Sequence, residues 1–174
     1  GGMYADGLGG ARDYAVARQW FEKAAAQGSA MAQVSLGDMY YRGHGVPQDY
    51  GKARQWFEKA AAQGNAWAQS SLGLLYAEGQ GVLRDYVKAR GWYEKAAAQG
   101  DARAQESLGG MYASGQGVPE DFVRARQWYE RAAVQGDVRA QIMLGVLYTE
   151  GQGVLQDYVR AYMWLNIAAA HLTG

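Results

Sequence analysis

The chain has 174 residues, 49% of them hydrophobic, and its 17 basic residues balance 17 acidic ones. That length suffices for one domain with a substantial core, and zero net charge provides neither a basic field for nucleic acid nor an acidic one for cations. Cysteine is absent, which excludes disulfides and thiolate metal sites, and no apolar run approaches the ~18 residues of a membrane helix.

Taken in chain order, the elements repeat every 36 residues. Gly1 aligns with Gly37, so the chain is expected to open inside a first helix. A second helix is predicted to follow Asp13 and to stop at Gly28. Its "RQWFEKAAAQG" returns identically at 54–64, as "RGWYEKAAAQG" at 90–100 and as "RQWYERAAVQG" at 126–136. The next first helix starts after Ser29, with Asn65, Asp101 and Asp137 in the later copies, residue types whose side chains accept a free helical N–H. It ends near Gly43, Gly79, Gly115 or Gly151, suited to a left-handed C-cap. A "GHGVPQDY" or "GQGVLRDY" loop leads to Asp49, Asp85, Asp121 or Asp157, each predicted to cap another second helix. Only about two residues join one unit to the next, which makes neighbouring helices antiparallel. A fixed period of this length marks an all-α solenoid, each unit burying its face against its neighbours. It predicts a single repeat domain over 1–174: a truncated repeat 1–28, then 29–64, 65–100, 101–136 and 137–174.

Within a second helix, Ala53, Trp56, Phe57 and Ala60 have the spacing of one buried stripe. Gly37 and its copies fall inside a first helix, where glycine costs about 1 kcal/mol relative to alanine. Close contact with a large aromatic of the next helix is the expected compensation.

These positions together form A-x-A-Q-x-x-L-G-x-x-Y-x-x-G-x-G-V-x-x-D-Y-x-x-A-x-x-W-Y/F-x-K-A-A-x-Q-G, which resembles the Sel-one-like repeat, a relative of the tetratricopeptide repeat. The resemblance covers nearly the whole chain. It implies a right-handed superhelix of helix pairs, first helices on the concave side, and an adaptor for other proteins. It also implies a bacterial setting, often in the envelope or in contact with a host. One branch of the family carries paired cysteines and is linked to β-lactam and peptidoglycan ligands. With no cysteine here, that ligand class is not transferred.

Placing Ala32 at 0° and stepping about 100° per residue sorts the first helix. Ala32, Gln33, Leu36, Gly37 and Tyr40 share one arc and repeat, whereas Met31, Val34, Ser35, Asp38, Tyr41 and Arg42 share the other and vary. The varying arc is the expected binding face: Met31, Val34, Asp38 and Tyr41, then Trp67, Ser70 and Leu74, then Arg103 and Glu106, then Arg139, Ile142 and Val146. It would give a groove for a peptide or protein with an aromatic and aliphatic half and an arginine-bearing half, the composition of interface hot spots. Trp67 is out of step with the other five tryptophans. Two readings of it stand: an anchor for a partner, or a cover for the seam between repeats.

No H-E-x-x-H, G-x-S-x-G or P-loop pattern occurs. His44 and His171 read as structural or solvated, and the recurrent aspartates as helix caps. No catalytic residue, cofactor or metal is expected. The function expected is a non-catalytic protein-interaction scaffold. The alternatives are a binder of envelope ligands such as peptidoglycan fragments and, further off, a β-lactam-type hydrolase. The last helix departs from its copies, with Tyr162 for Arg, Met163 for Gln and Ile167 for Lys; the first expectation is a segment of a longer protein with further elements packed at its ends, and the second is end-to-end self-association through these residues in concentrated solution.

Overall fold

The structure, a computed structural model, describes residues 13–173. The truncated first helix expected over residues 1–12 lies outside them. The described residues form helices joined by short turns and divide into two compact units, 13–85 and 86–173.

The first unit contains α1 (Tyr14–Ala26), α2 (Ala30–Arg42), α3 (Tyr50–Ala62) and α4 (Ala66–Glu78). The second contains α5 (Tyr86–Ala98), α6 (Ala102–Ser114), α7 (Phe122–Ala133), α8 (Val138–Glu150) and α9 (Tyr158–Thr173). Even-numbered helices are the first helices of the sequence reading and odd-numbered ones the second helices.

Eight of the predicted N-caps form. Ser29, Asn65, Asp101 and Asp137 each accept the N–H of the alanine three residues on. Asp49 and Asp121 do the same for Lys52 and Arg124, and Asp13 and Asp157 each serve two N–H groups. Gly43, Gly79, Gly115 and Gly151 end the first helices in the left-handed conformation.

Packing follows one rule in both units. Each second helix lies against the first helix of its own repeat, α3 on α2, α7 on α6 and α9 on α8. Its other side is covered by the next first helix: α1 by α2 and α3 by α4 in one unit, α5 by α6 and α7 by α8 in the other. Ala53, Phe57, Ala60 and Ala61 are buried on α3, and Ala125, Tyr129, Ala132 and Ala133 on α7. Trp56, by contrast, is only half-buried, with Lys59 4.1 Å above its ring. The same cation cover recurs with Lys95 over Trp92 and Arg131 over Trp128, so these tryptophans border the core rather than fill it.

The mid-helix glycines have the predicted cause. A methyl at Gly37 would collide with Cε1 and Cδ1 of Phe57. At Gly109 it would lie 2.6 Å from the Tyr129 ring, and at Gly145 2.6 Å from Leu165 Cγ. The last contact shows that the partner need be large, not aromatic. The loops use glycine for docking too: Gly45 abuts Tyr14, Gly81 abuts Tyr50, Gly117 abuts Tyr86 and Gly153 abuts Phe122. Each "GxG" turn thus fastens onto the start of the preceding second helix.

Candidate functional site

The varying residues of the first helices split between the two units. In the first unit, Met31 is 68% exposed on α2. Val34, Tyr41, Trp67 and Leu74 are half-buried. Tyr41 stands edge-on to Tyr50 at 5.4 Å, and burial followed by the Glu78 carboxylate pushes its hydroxyl pKa up. Trp67 stands edge-on to Phe57, ring centroids 5.4 Å apart and planes at 72°. Trp67 therefore covers the α3–α4 seam and presents its remaining surface to solvent, so the two sequence readings of this residue are compatible.

Two expectations for this face need correction. Ser70 is 5% exposed and offers no surface to a partner. Asp38 is engaged by Arg42 Nε at 2.7 Å, so its carboxylate is already committed within the helix. Its pairing also holds the Arg42 guanidinium protonated more firmly than usual.

The second unit carries the polar half. Arg103 and Arg139 are exposed, Ile142 is exposed at its edge, and Glu106 and Val146 are half-buried. Burial is the main cause that raises the Glu106 pKa, and Asp137 adds to it; Arg139 opposes both. A raised carboxyl pKa means the ionised form destabilises the fold, so this penalty is absent at low pH and appears as pH rises through the folded-state pKa. Glu106→Gln is expected to raise the Tm at pH 7 relative to wild type, the gap closing as pH falls through the carboxylate range. Equal or lower thermal stability of the variant at pH 7 would show that the charge is well solvated.

A set of buried glutamines was visible in the repeat pattern as Gln33 and its copies, but their role was not. Gln33, Gln69, Gln105 and Gln141 are buried polar groups and must find partners. Gln63 donates through Nε2 to Gln33 Oε1 at 2.8 Å, and Gln135 to Gln105 at 2.8 Å. Gln141 in turn donates to the Ala133 carbonyl at 3.0 Å, tying α8 to the end of α7. His171 takes the place of the outer glutamine in the last repeat, with Nδ1 3.1 Å from Gln141 Oε1. An amide oxygen only accepts, so Nδ1–H is the donor. His171 is thus a bonded member of the ladder rather than a merely solvated residue, and His44 stacks on Tyr14 at 4.9 Å.

Among the described residues, no group of three or more His, Asp or Glu side chains is placed to hold a metal ion. No described helix is long and apolar enough to cross a membrane. Helix pairs at a fixed step, capped alike and tied by a repeated amide ladder, define the class: a helical-repeat protein. The family follows from the whole pattern. The Sel1 repeat model matches residues 1–29, 30–65, 68–101, 102–137 and 138–171, and the chain belongs to the Sel1 repeat family. Such proteins are generally non-catalytic helical scaffolds for protein interaction.

Solved structures agree. A protective antigen of uropathogenic Escherichia coli strains, displaying an SLR fold, is 40% identical with a TM-score of 0.91 over 97% of this chain. The present chain spans only 36% of the length of that antigen. A Sel1 repeat protein from Oxalobacter formigenes is 39% identical, with a TM-score of 0.87, 97% of this chain covered and 69% of the other. Helicobacter pylori cysteine rich protein B is 26% identical with a TM-score of 0.58, covering 74% of this chain and 92% of its own. No curated protein sequence matches the chain.

Proposed function

We propose that this chain is a non-catalytic scaffold that binds a peptide or protein on its first helices, with Met31, Tyr41 and Trp67 as the anchors. One observation carries the reading: the two aromatic rings are part-exposed yet braced edge-on by Tyr50 and Phe57. A braced ring loses little rotamer freedom on binding, so its contact area converts to affinity at low entropic cost. Met31, exposed on α2, adds an adaptable apolar surface.

Affinity capture from a bacterial lysate, read by quantitative mass spectrometry, tests the reading with wild type and Trp67→Ala side by side. A specific protein is expected on wild type and lost from the variant, its purified complex weakened by roughly thirtyfold, as for a hot spot of about 2 kcal/mol. The comparison is made at a temperature where both variants are folded, because the lost Phe57 contact also lowers stability. Equal capture of the same protein by both would remove Trp67 from the binding site.

A further inference from the structure

Within the second unit, two polar groups lie near each other without the partners that such depth ordinarily demands. Tyr129 on α7 is only 2% exposed. The little area it leaves open includes its hydroxyl, which makes no hydrogen bond among the described residues. A phenol buried to that extent normally finds one. Its neighbour is Glu106 on α6: burial, and after it the Glu106 carboxylate, push the Tyr129 hydroxyl pKa up. Glu106 is itself half-buried. Ser107 and Arg139 favour its ionised form, but it forms no ion pair among the described residues.

Gly110, one turn beyond Glu106, stands over this hydroxyl. A methyl built on it would meet only Tyr129 Oη, at 3.7 Å, an ordinary contact. Neither crowding nor a left-handed backbone therefore calls for glycine here, and glycine weakens a helix. The other described copies have Asp38, Leu74 and Val146 at this position. What the missing side chain does is leave the hydroxyl uncovered. The polar pair also arrives together in the repeat pattern. Where the second helix carries Phe57 or Leu165, the position of Glu106 is filled by Val34 or Ile142; where it carries Tyr93 or Tyr129, by Ser70 or Glu106. Of these, only Glu106 brings a charge.

We propose that Glu106 and Tyr129, left open by Gly110, form a recognition site for a cationic side chain, the ammonium of a lysine or the guanidinium of an arginine, on the bound peptide or protein. The N–H groups of the cation donate to the Glu106 carboxylate and to Tyr129 Oη, and its charge offsets what burial costs the carboxylate. An anionic group would meet Glu106 as a like charge. The site rests on the reading of the first helices as the partner face and adds to it a requirement for a basic residue in the partner.

The probes are Nα-acetyl-lysinamide and Nα-acetyl-argininamide, with uncharged Nα-acetyl-norleucinamide as the control. Each is titrated into the isotope-labelled 174-residue chain and followed through backbone amide NMR shifts. Saturable shifts of the Gly109 and Gly110 amides are expected with the cationic probes at millimolar concentration and not with the control. Glu106→Gln is expected to weaken binding at least tenfold, because the charge-assisted hydrogen bonds go with the carboxylate. Tyr129→Phe, which places at this position the residue type that Phe57 has in an earlier copy, is expected to weaken it roughly threefold. Thermal melts verify that both variants fold. The Glu106 carboxyl pKa, read by NMR, should also fall as a cationic probe saturates the site, a change that a merely structural carboxylate would not show. No saturable shift, equal shifts with the norleucine control, or affinities unchanged by Glu106→Gln would each overturn the site. The probes need no captured partner, so such a failure leaves the Trp67 capture result standing, and equal capture by Trp67→Ala leaves this site standing.

Discussion

Gly153→Ala is expected to lower the stability of the chain by about 3 kcal/mol, combining a left-handed alanine at about 1–2 kcal/mol with overpacking of similar size. Gly153 has φ +64°, and a methyl built on it would lie 2.5 Å from the Phe122 carbonyl oxygen and 2.6 Å from the Val123 nitrogen. Those atoms are backbone at the start of α7 and cannot rotate away. The loop must move off the helix, and the repeat-to-repeat fastening goes with it. Gly136→Ala is the internal comparison. Its φ of +89° is as unfavourable for alanine, but nothing lies within 4 Å of the added methyl. It is expected to cost only the backbone share, roughly 1–2 kcal/mol. Urea unfolding followed by circular dichroism measures both. Equal losses for the two variants would mean that the loop contact contributes nothing beyond backbone conformation.

The contrast also shows where the sequence was sufficient. A residue fixed at every 36-residue step announces a constraint, and residue type then names it: aspartate before a helix as a cap, glycine after one as a left-handed turn. Both were legible, as were the helix pairs and the mid-helix glycine facing a large side chain. Depth was not. Val34, Ser70, Glu106 and Ile142 occupy one register position at the edge of the variable arc, yet Ser70 is buried and Ile142 is exposed. A wheel built from period alone assigns them a common direction, while side-chain size and the neighbouring helix decide how far each sinks. The amide ladder was hidden for a related reason. Gln33 and Gln63 are 30 residues apart, on the two helices of one repeat, so a comparison of copies shows that each is fixed without showing that they meet. Trp67 stands out in the sequence because it breaks the 36-residue spacing of the other tryptophans. Its bracing by Phe57 depends on the α3–α4 crossing, which no spacing rule encodes.

The glycine–aromatic contact can be isolated energetically through Phe57, which is 1% exposed and among the largest fully buried side chains. Phe57→Ala is expected to cost about 3–5 kcal/mol, the range for emptying a core site of that size. It would also release Trp67, which loses the ring it leans on. Gly37→Ala is expected to cost about 1–3 kcal/mol, because overpacking against a ring that cannot withdraw outweighs the helix propensity gained. In the double variant the new methyl enters space the ring has vacated. The two losses should then fall short of additive by 1 kcal/mol or more, a coupling typical of side chains in contact. Gly91→Ala separates propensity from packing, since Gly91 lies inside α5 with nothing within 4 Å of an added methyl. That substitution should stabilise the chain by up to about 1 kcal/mol. One chemical change would thus have opposite signs at two helical sites. Additive losses at Gly37 and Phe57 would break this account, because the glycine would then owe its place to something other than the ring.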